Sequence, residues 1–187
     1  MTKRLNTRQI DPSIDLLTLE PNNPDQLHRF LRVALDLTVP REPFVPGSSA
    51  PFDYLIHTFF ESPQPDAALT NKDAVVWANR GGGKTMLGAV ATLLDLLFKP
   101  GIQVRILGGS LEQSSKMFEH LVALLDRPWF RGLLDGEPTQ RRVAMTNGSR
   151  AQLLAGSQRS VRGVRVQKLR CDEVEEFEPG VWEAAQM

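Results

Sequence analysis

Three consecutive glycines, Gly81, Gly82 and Gly83, are followed by Lys84 and Thr85 and preceded by the apolar run Val75, Val76, Trp77 and Ala78. That order reads as a strand, a turn and the start of a helix. Glycine N–H groups can approach an anion closely because no Cβ stands in the way, and a helix beginning at the same place points its positive end at it. In the phosphate-loop pattern G-x-x-x-x-G-K-[ST] the lysine reaches the β and γ phosphates of a nucleotide and the hydroxyl holds Mg²⁺. Gly83, Lys84 and Thr85 supply the second half of that pattern, but Ala78 stands where its first glycine would be. A glycine-rich turn that only caps a helix fits the same residues.

Further along, Leu169, Arg170 and Cys171 lead into Asp172 and Glu173, two carboxylates just past an expected strand. In phosphate-loop hydrolases an aspartate in that place holds Mg²⁺ and another group orients the attacking water. Asp172 is then the natural metal partner and Glu173 the natural base. A solvated acidic loop is the competing reading, since Glu175, Glu176 and Glu178 follow closely. Agreement between the two motifs favours the paired reading. Arg80, inside the loop, either stabilises charge on a γ phosphate or is a solvated arginine.

Between Arg141 and Arg170 every charged residue is basic, namely Arg142, Arg150, Arg159, Arg162, Arg165 and Lys168 between those two ends. Such a segment either meets a phosphate backbone or is an ordinary solvated hairpin face. Cys171 reads as a buried strand residue, with no histidine near it in sequence to activate the thiol. His57 and His120 read as packing or surface residues, and Trp77 as core.

The elements that must carry these groups follow from periodicity and punctuation. Residues 1–22 show no sustained pattern. Asn23, Pro24 and Gln26 form a helix start with a cap and a capping-box partner, and Leu27, Phe30, Leu31, Ala34 and Leu35 make one apolar stripe. A proline-rich loop over residues 39–51 precedes a second amphipathic helix at about 52–61. Residues 62–73 are a polar connector and 74–78 a strand. The helix after the glycines, 85–98, is apolar on nearly every side, which implies burial against a sheet. Residues 104–107 form a strand, 108–110 a turn with a cap, and 111–125 a helix whose Phe118, Leu121, Val122 and Leu125 share a face. Residues 142–145 and 150–154 flank Asn147 and Gly148 as a hairpin. A last strand covers 164–171; its polar start suggests that it begins nearer Gln167.

Alternating strands and helices argue for an α/β sheet with its ligand at the carboxyl ends of the strands. The chain of 187 residues is 41% hydrophobic and 24% charged, ordinary for a folded domain and against disorder throughout. Lys plus Arg (22) balances Asp plus Glu (22), so bulk charge marks no partner. A single cysteine excludes an internal disulfide framework. Residues 86–98 are too short for a membrane span and contain Asp95, so no membrane partner is expected.

Residues 78–85, with arginine four positions before the lysine, resemble the variant phosphate loop of the large terminase subunits of tailed bacteriophages. The run from Ile106 to Gln113 resembles the strand-Ser-x-x-Gln element that follows it in that family. Gly156 and Ser157, through Val161, Arg162 and Gly163, to Asp172 and Glu173 resemble the family's Arg-Gly segment and acidic strand end. The resemblance covers about residues 51–177, and the ordered combination is more specific than any one motif.

The resemblance implies a P-loop NTPase three-layer sandwich with a mainly parallel sheet, incomplete at the C-terminus. Residues 1–50 would be an N-terminal arm and helix, and 51–187 a partial ATPase domain without the family's nuclease domain. It implies ATP and Mg²⁺ as cofactors, with Arg80, Gly81, Gly82, Gly83, Lys84 and Thr85 binding nucleotide. Thr85 and Asp172 would hold the metal, and Glu173, Lys84 and Arg80 would be catalytic. Gln113 matches by position. An adenine pocket is expected near residues 52–60, where the family's usual glutamine has no counterpart. The implied activity is ATP hydrolysis that drives viral DNA into a procapsid. Double-stranded DNA, the portal protein and the small terminase subunit are the implied partners. The full-length form would make a homo-oligomeric ring in the cytoplasm of the infected host. The alternatives are a nucleotide-binding but inactive fragment or prophage remnant, and a helicase-like ATPase.

Overall fold

The computed structural model describes residues 19–60, 73–154, 167–177, 180, 181 and 183. Helix α1 (Pro24–Ala34) starts as its sequence predicts: Asn23 Oδ1 accepts from the Gln26 N–H at 2.9 Å, and Gln26 Oε1 accepts from the Asn22 N–H at 2.8 Å. Its stripe of Leu27, Phe30, Leu31, Ala34 and Leu35 is buried. Helix α2 (Pro51–Phe60) adds Phe52, Leu55 and Phe59 to the same core. Helix α3 (Lys84–Phe98) is buried continuously from Gly88 to Phe98. Each fully buried leucine there contributes about 1.5–3 kcal/mol of transfer free energy, which makes α3 the central element of the core.

Strand β1 (Gln103–Gly108) follows, then α4 (Leu111–Leu125), whose Phe118, Leu121 and Leu125 are buried. The short helix α5 (Pro128–Arg131) was not anticipated by the sequence reading; beside it, Trp129 Nε1 donates to the Ala34 carbonyl at the end of α1 at 2.9 Å. Strands β2 (Arg142–Ala144) and β3 (Arg150–Leu153) pair antiparallel around Asn147 and Gly148, as the hairpin signal predicts. Strand β4 (Lys168–Asp172) is followed by a 3-10 turn, Val174–Glu176.

The sheet order is β2-β3-β1-β4. β1 pairs parallel with both β3 and β4, so the fold is α/β with a four-stranded, mostly parallel sheet. Strand residues alternate between faces. Val104 and Ile106 of β1, with Val143, Ala151 and Leu153, join the core of α3 and α4. On the opposite face Leu107, Leu154 and Val181 make a smaller cluster that Leu169, Cys171 and Phe177 border. Among the described residues no helix is long and apolar enough to cross a membrane.

Two expectations change. Residues 74–78 are not a strand: Val75 is 92% and Trp77 is 91% exposed. A strand needs a neighbour for its backbone groups, and the sheet sets β4, not this segment, beside β1. Trp77 is therefore not core. The last strand runs through Asp172, so that acid closes the strand instead of following it. Residues 164–166 of the expected strand and the connector at 62–72 lie outside the described residues.

Candidate functional site

The glycine loop is shaped by its lack of side chains. Gly81 and Gly83 hold φ of +79° and +80°, left-handed values that favour glycine. At Gly82 a Cβ would lie 2.8 Å from Asn79 Oδ1 and 3.0 Å from the Asn79 carbonyl, which accepts the Gly82 N–H at 3.1 Å. α3 begins at once after Gly83, and no side chain caps its first turn. The helix dipole favours an anion at this start. Arg80 and the three glycines are exposed. Lys84 is half-buried, with its Nζ donating to the Ala78 carbonyl at 3.4 Å, which folds the amine back across the loop.

The acidic strand end comes to the same place. Parallel pairing sets Asp172 of β4 opposite Gly108, at the carboxyl end of β1. Alternation along β4 turns Lys168, Arg170 and Asp172 toward α3. Thr85 Oγ1 donates to Asp172 Oδ2 at 2.8 Å, joining residues 87 apart in sequence. Asp172 is 8% exposed, and its Oδ1 accepts the Glu173 N–H at 3.1 Å. Glu173 is half-buried and holds φ 51° and ψ 52°. A non-glycine residue in that region costs on the order of 1–3 kcal/mol and persists where surroundings enforce it. The strained glutamate thus sits directly after the acid that meets the loop.

The paired oxygens suit a small hard cation. Thr85 Oγ1 and Asp172 Oδ2, joined by a 2.8 Å hydrogen bond, are the oxygen donor types that a hard cation such as Mg²⁺ takes. Among the described residues no three His, Cys, Asp or Glu side chains converge. A cation here would complete its shell with water and phosphate oxygens, the habit of Mg²⁺.

Gln113 lies in the first turn of α4, and its side chain is outside the described residues, as is Arg162. In the region expected to border an adenine, Phe52, Leu55, Thr58 and Phe59 are buried, Tyr54 is half-buried and His57 is exposed. Burial raises the Tyr54 hydroxyl pKa; Arg170 opposes that, and Asp95 and Asp172 add to it. Cys171 is half-buried, and burial pushes its thiol up to about 12, in keeping with an inert strand residue. A concavity of about 630 Å³ lies elsewhere, lined by Phe118, Glu119, Val122, Thr139 and Arg141 among others. It touches neither the loop nor β4.

Sequence reasoning missed an ion cluster behind the site. Asp95, fully buried in α3, meets Lys99 Nζ at 2.7 Å, an Arg170 guanidinium nitrogen at 2.5 Å and Lys168 Nζ at 3.4 Å. The signal was present: one acid in an otherwise apolar helix, and basic residues at alternate positions of a strand. On the open sheet face, Arg142 and Arg150 are exposed beside half-buried Arg105. Burial lowers the Arg105 pKa, and Arg142 and Arg150 lower it further. No family model and no curated protein matches the chain.

Proposed function

We propose that this chain is the ATP-hydrolysing part of a bacteriophage DNA-packaging motor, built on a P-loop NTPase fold. The observation that carries the nucleotide reading is the 2.8 Å hydrogen bond from Thr85 to Asp172, which joins a glycine loop at a helix start to a buried acid at a strand end. The motor reading rests on the order of motifs that resembles terminase large subunits.

In this reading the N–H groups of Gly81, Gly82, Gly83 and Lys84 cradle the phosphates. Lys84 swings from the Ala78 carbonyl to the β and γ oxygens. Thr85 and Asp172 would hold Mg²⁺, which would supply charge neutralisation at the phosphates. Glu173 takes a proton from water as its oxygen attacks the γ phosphorus, and the bond to the ADP oxygen breaks. Arg80, exposed in the loop turn, stabilises charge on the transferring group. The products are ADP and inorganic phosphate.

Duplex DNA is the translocated partner, and the exposed Arg142 and Arg150 with Arg105 are the described residues suited to its phosphates. Their charge is sequence-blind, as motor contacts must be. A ring of copies on the portal, supplied by the small terminase subunit in the host cytoplasm, completes the reading.

The test is Mg²⁺-dependent ATP hydrolysis by the whole chain beside Lys84→Ala and Glu173→Gln. Lys84→Ala should lose nucleotide binding and turnover together. Glu173→Gln should bind ATP while turnover falls by about 10²–10⁴. Undiminished hydrolysis in Lys84→Ala would refute the assignment.

A further inference from the structure

We infer that Asp95 is a positioning residue: its ion pairs with Arg170 and Lys168 set the register of β4 and so hold Asp172 opposite Thr85. The consequence for nucleotide binding rests on the reading above; the register role itself does not.

The inner face of β4 has no apolar residue. Its three inward positions are Lys168, Arg170 and Asp172, while Leu169 and Cys171 border the smaller cluster with Leu107, Leu154 and Val181. Along its buried length, Gly88–Phe98, the helix it faces is apolar except at Thr92, whose hydroxyl donates to the Gly88 carbonyl of the same helix at 2.8 Å, and at Asp95. A strand shifted by one residue turns its other side inward. For β4 that shift would put Leu169 and Cys171 against apolar α3 and carry Asp172 away from Thr85. Apolar burial against the main core therefore favours a register that dismantles the site.

Asp95 opposes that slip. Arg170 and Lys168, both two-residue steps back from Asp172, reach the same carboxylate at 2.5 and 3.4 Å, with side chains only 11% and 15% exposed. Lys168 Nζ also donates to the Thr58 carbonyl at 3.1 Å, and Lys99, paired with Asp95, reaches that carbonyl at 3.5 Å. The ends of α2 and α3 thus grip β4 through one acid. A buried ion pair of this kind adds little net stability compared with well-packed apolar residues, and its best-attested use is to fix register. Three contacts then tie β4 to α3, Arg170 and Lys168 with Asp95 and Asp172 with Thr85, and only the last belongs to the chemistry.

The experiment is a cross-linking rate that needs no ligand. In the Thr85→Cys/Asp172→Cys/Cys171→Ser chain, the native register should allow rapid disulfide formation under a mild oxidant. Adding Asp95→Leu should slow it at least tenfold, with helical content by circular dichroism reporting that the chain is folded. Adding Arg170→Leu to that variant should restore the rate, because leucines at both positions let the native register bury apolar surface. A folded Asp95→Leu chain that cross-links at the parental rate would overturn the inference. If Asp95→Leu alone does not fold, the near-isosteric Asp95→Asn decides: slowed cross-linking in the folded chain supports the register role, and cross-linking at the parental rate overturns it. In a chain with Thr85, Asp172 and Cys171 intact, Asp95→Leu should weaken MgATP binding more than ATP binding in EDTA. Should no form of the chain bind nucleotide while the cross-linking pattern holds, the phosphate-loop reading fails and the register role stands.

Discussion

Replacing Thr85 by valine removes one hydroxyl at nearly constant volume and tests the centre of the site. That hydroxyl donates to Asp172 Oδ2 at 2.8 Å, and Asp172 is 8% exposed. A hydrogen bond to a charged group contributes about 1.5–3 kcal/mol. Asp172 still accepts from the Glu173 N–H at 3.1 Å, so the loss should fall near the lower end, at about 2 kcal/mol. For a chain of this size that lowers Tm by roughly 4–8 °C. The effect on binding separates a structural bond from a metal site. With one of its two protein oxygens gone, Mg²⁺ is held less well, and MgATP should bind at least tenfold more weakly, about 1.4 kcal/mol. ATP in EDTA should bind almost as before, because loop amides and Lys84 are untouched. Thr85→Ser keeps the oxygen and should retain MgATP affinity within about threefold. Titration calorimetry with and without Mg²⁺ reads both arms. Equal weakening of MgATP and metal-free ATP by Thr85→Val would refute the metal assignment, leaving the hydroxyl a structural pin.

Gly83→Ala places a Cβ at φ +80° and should cost about 1–2 kcal/mol, a Tm loss of roughly 2–8 °C, with Gly83→Asn losing less; an unchanged melting curve for the alanine variant would contradict the left-handed cap. Glu173→Gly relieves the φ of 51°, so Tm should hold or rise while ATP turnover falls at least about a hundredfold; a clear drop in Tm would mean that the backbone stores no strain there. Burial raises the Cys171 thiol from an ordinary 9.0 to about 12, so the folded state favours the protonated thiol more than the unfolded chain does. That contribution is complete below pH 9 and is lost between pH 9 and about 12, by up to about 1.4 kcal/mol per pH unit. Denaturant titrations across that window should show a shallower decline in Cys171→Ala, and a slope equal to that of the parent would contradict the shift.

Local signals were enough where an element is decided locally. α1 was legible because its cap, first-turn proline and apolar stripe lie within thirteen residues of chain, and all of its stripe residues are buried. The turn that joins β2 and β3 was likewise legible from Asn147 and Gly148 themselves, although Asn147 Nδ2 also donates to the Leu96 carbonyl at the end of α3 at 2.8 Å. Residues 74–78 failed for the opposite reason. Their apolar run says that they resist water, but a strand is made by its neighbour, and β1 takes β3 and β4 as its partners. The outcome is Val75 and Trp77 exposed at the approach to the loop.

The candidate site was legible as two separate motifs, and their meeting was an inference from chemistry alone: a hydroxyl and an acid proposed to share one cation must come together. What the sequence hid is how the acid is held there. β4 looked too polar for an inner strand, and Asp95 looked out of place in an apolar helix. Taken singly, the first argues for a later strand start and the second against a membrane span. Burial forces such residues to find partners, since an unpaired charge away from water is costly. A lone acid in one apolar element and alternating bases in another are therefore signs of one contact, here Asp95 with Arg170 and Lys168. Read as a pair, they would have fixed the side of β4 that faces α3, and with it the side on which Asp172 must emerge beside Thr85.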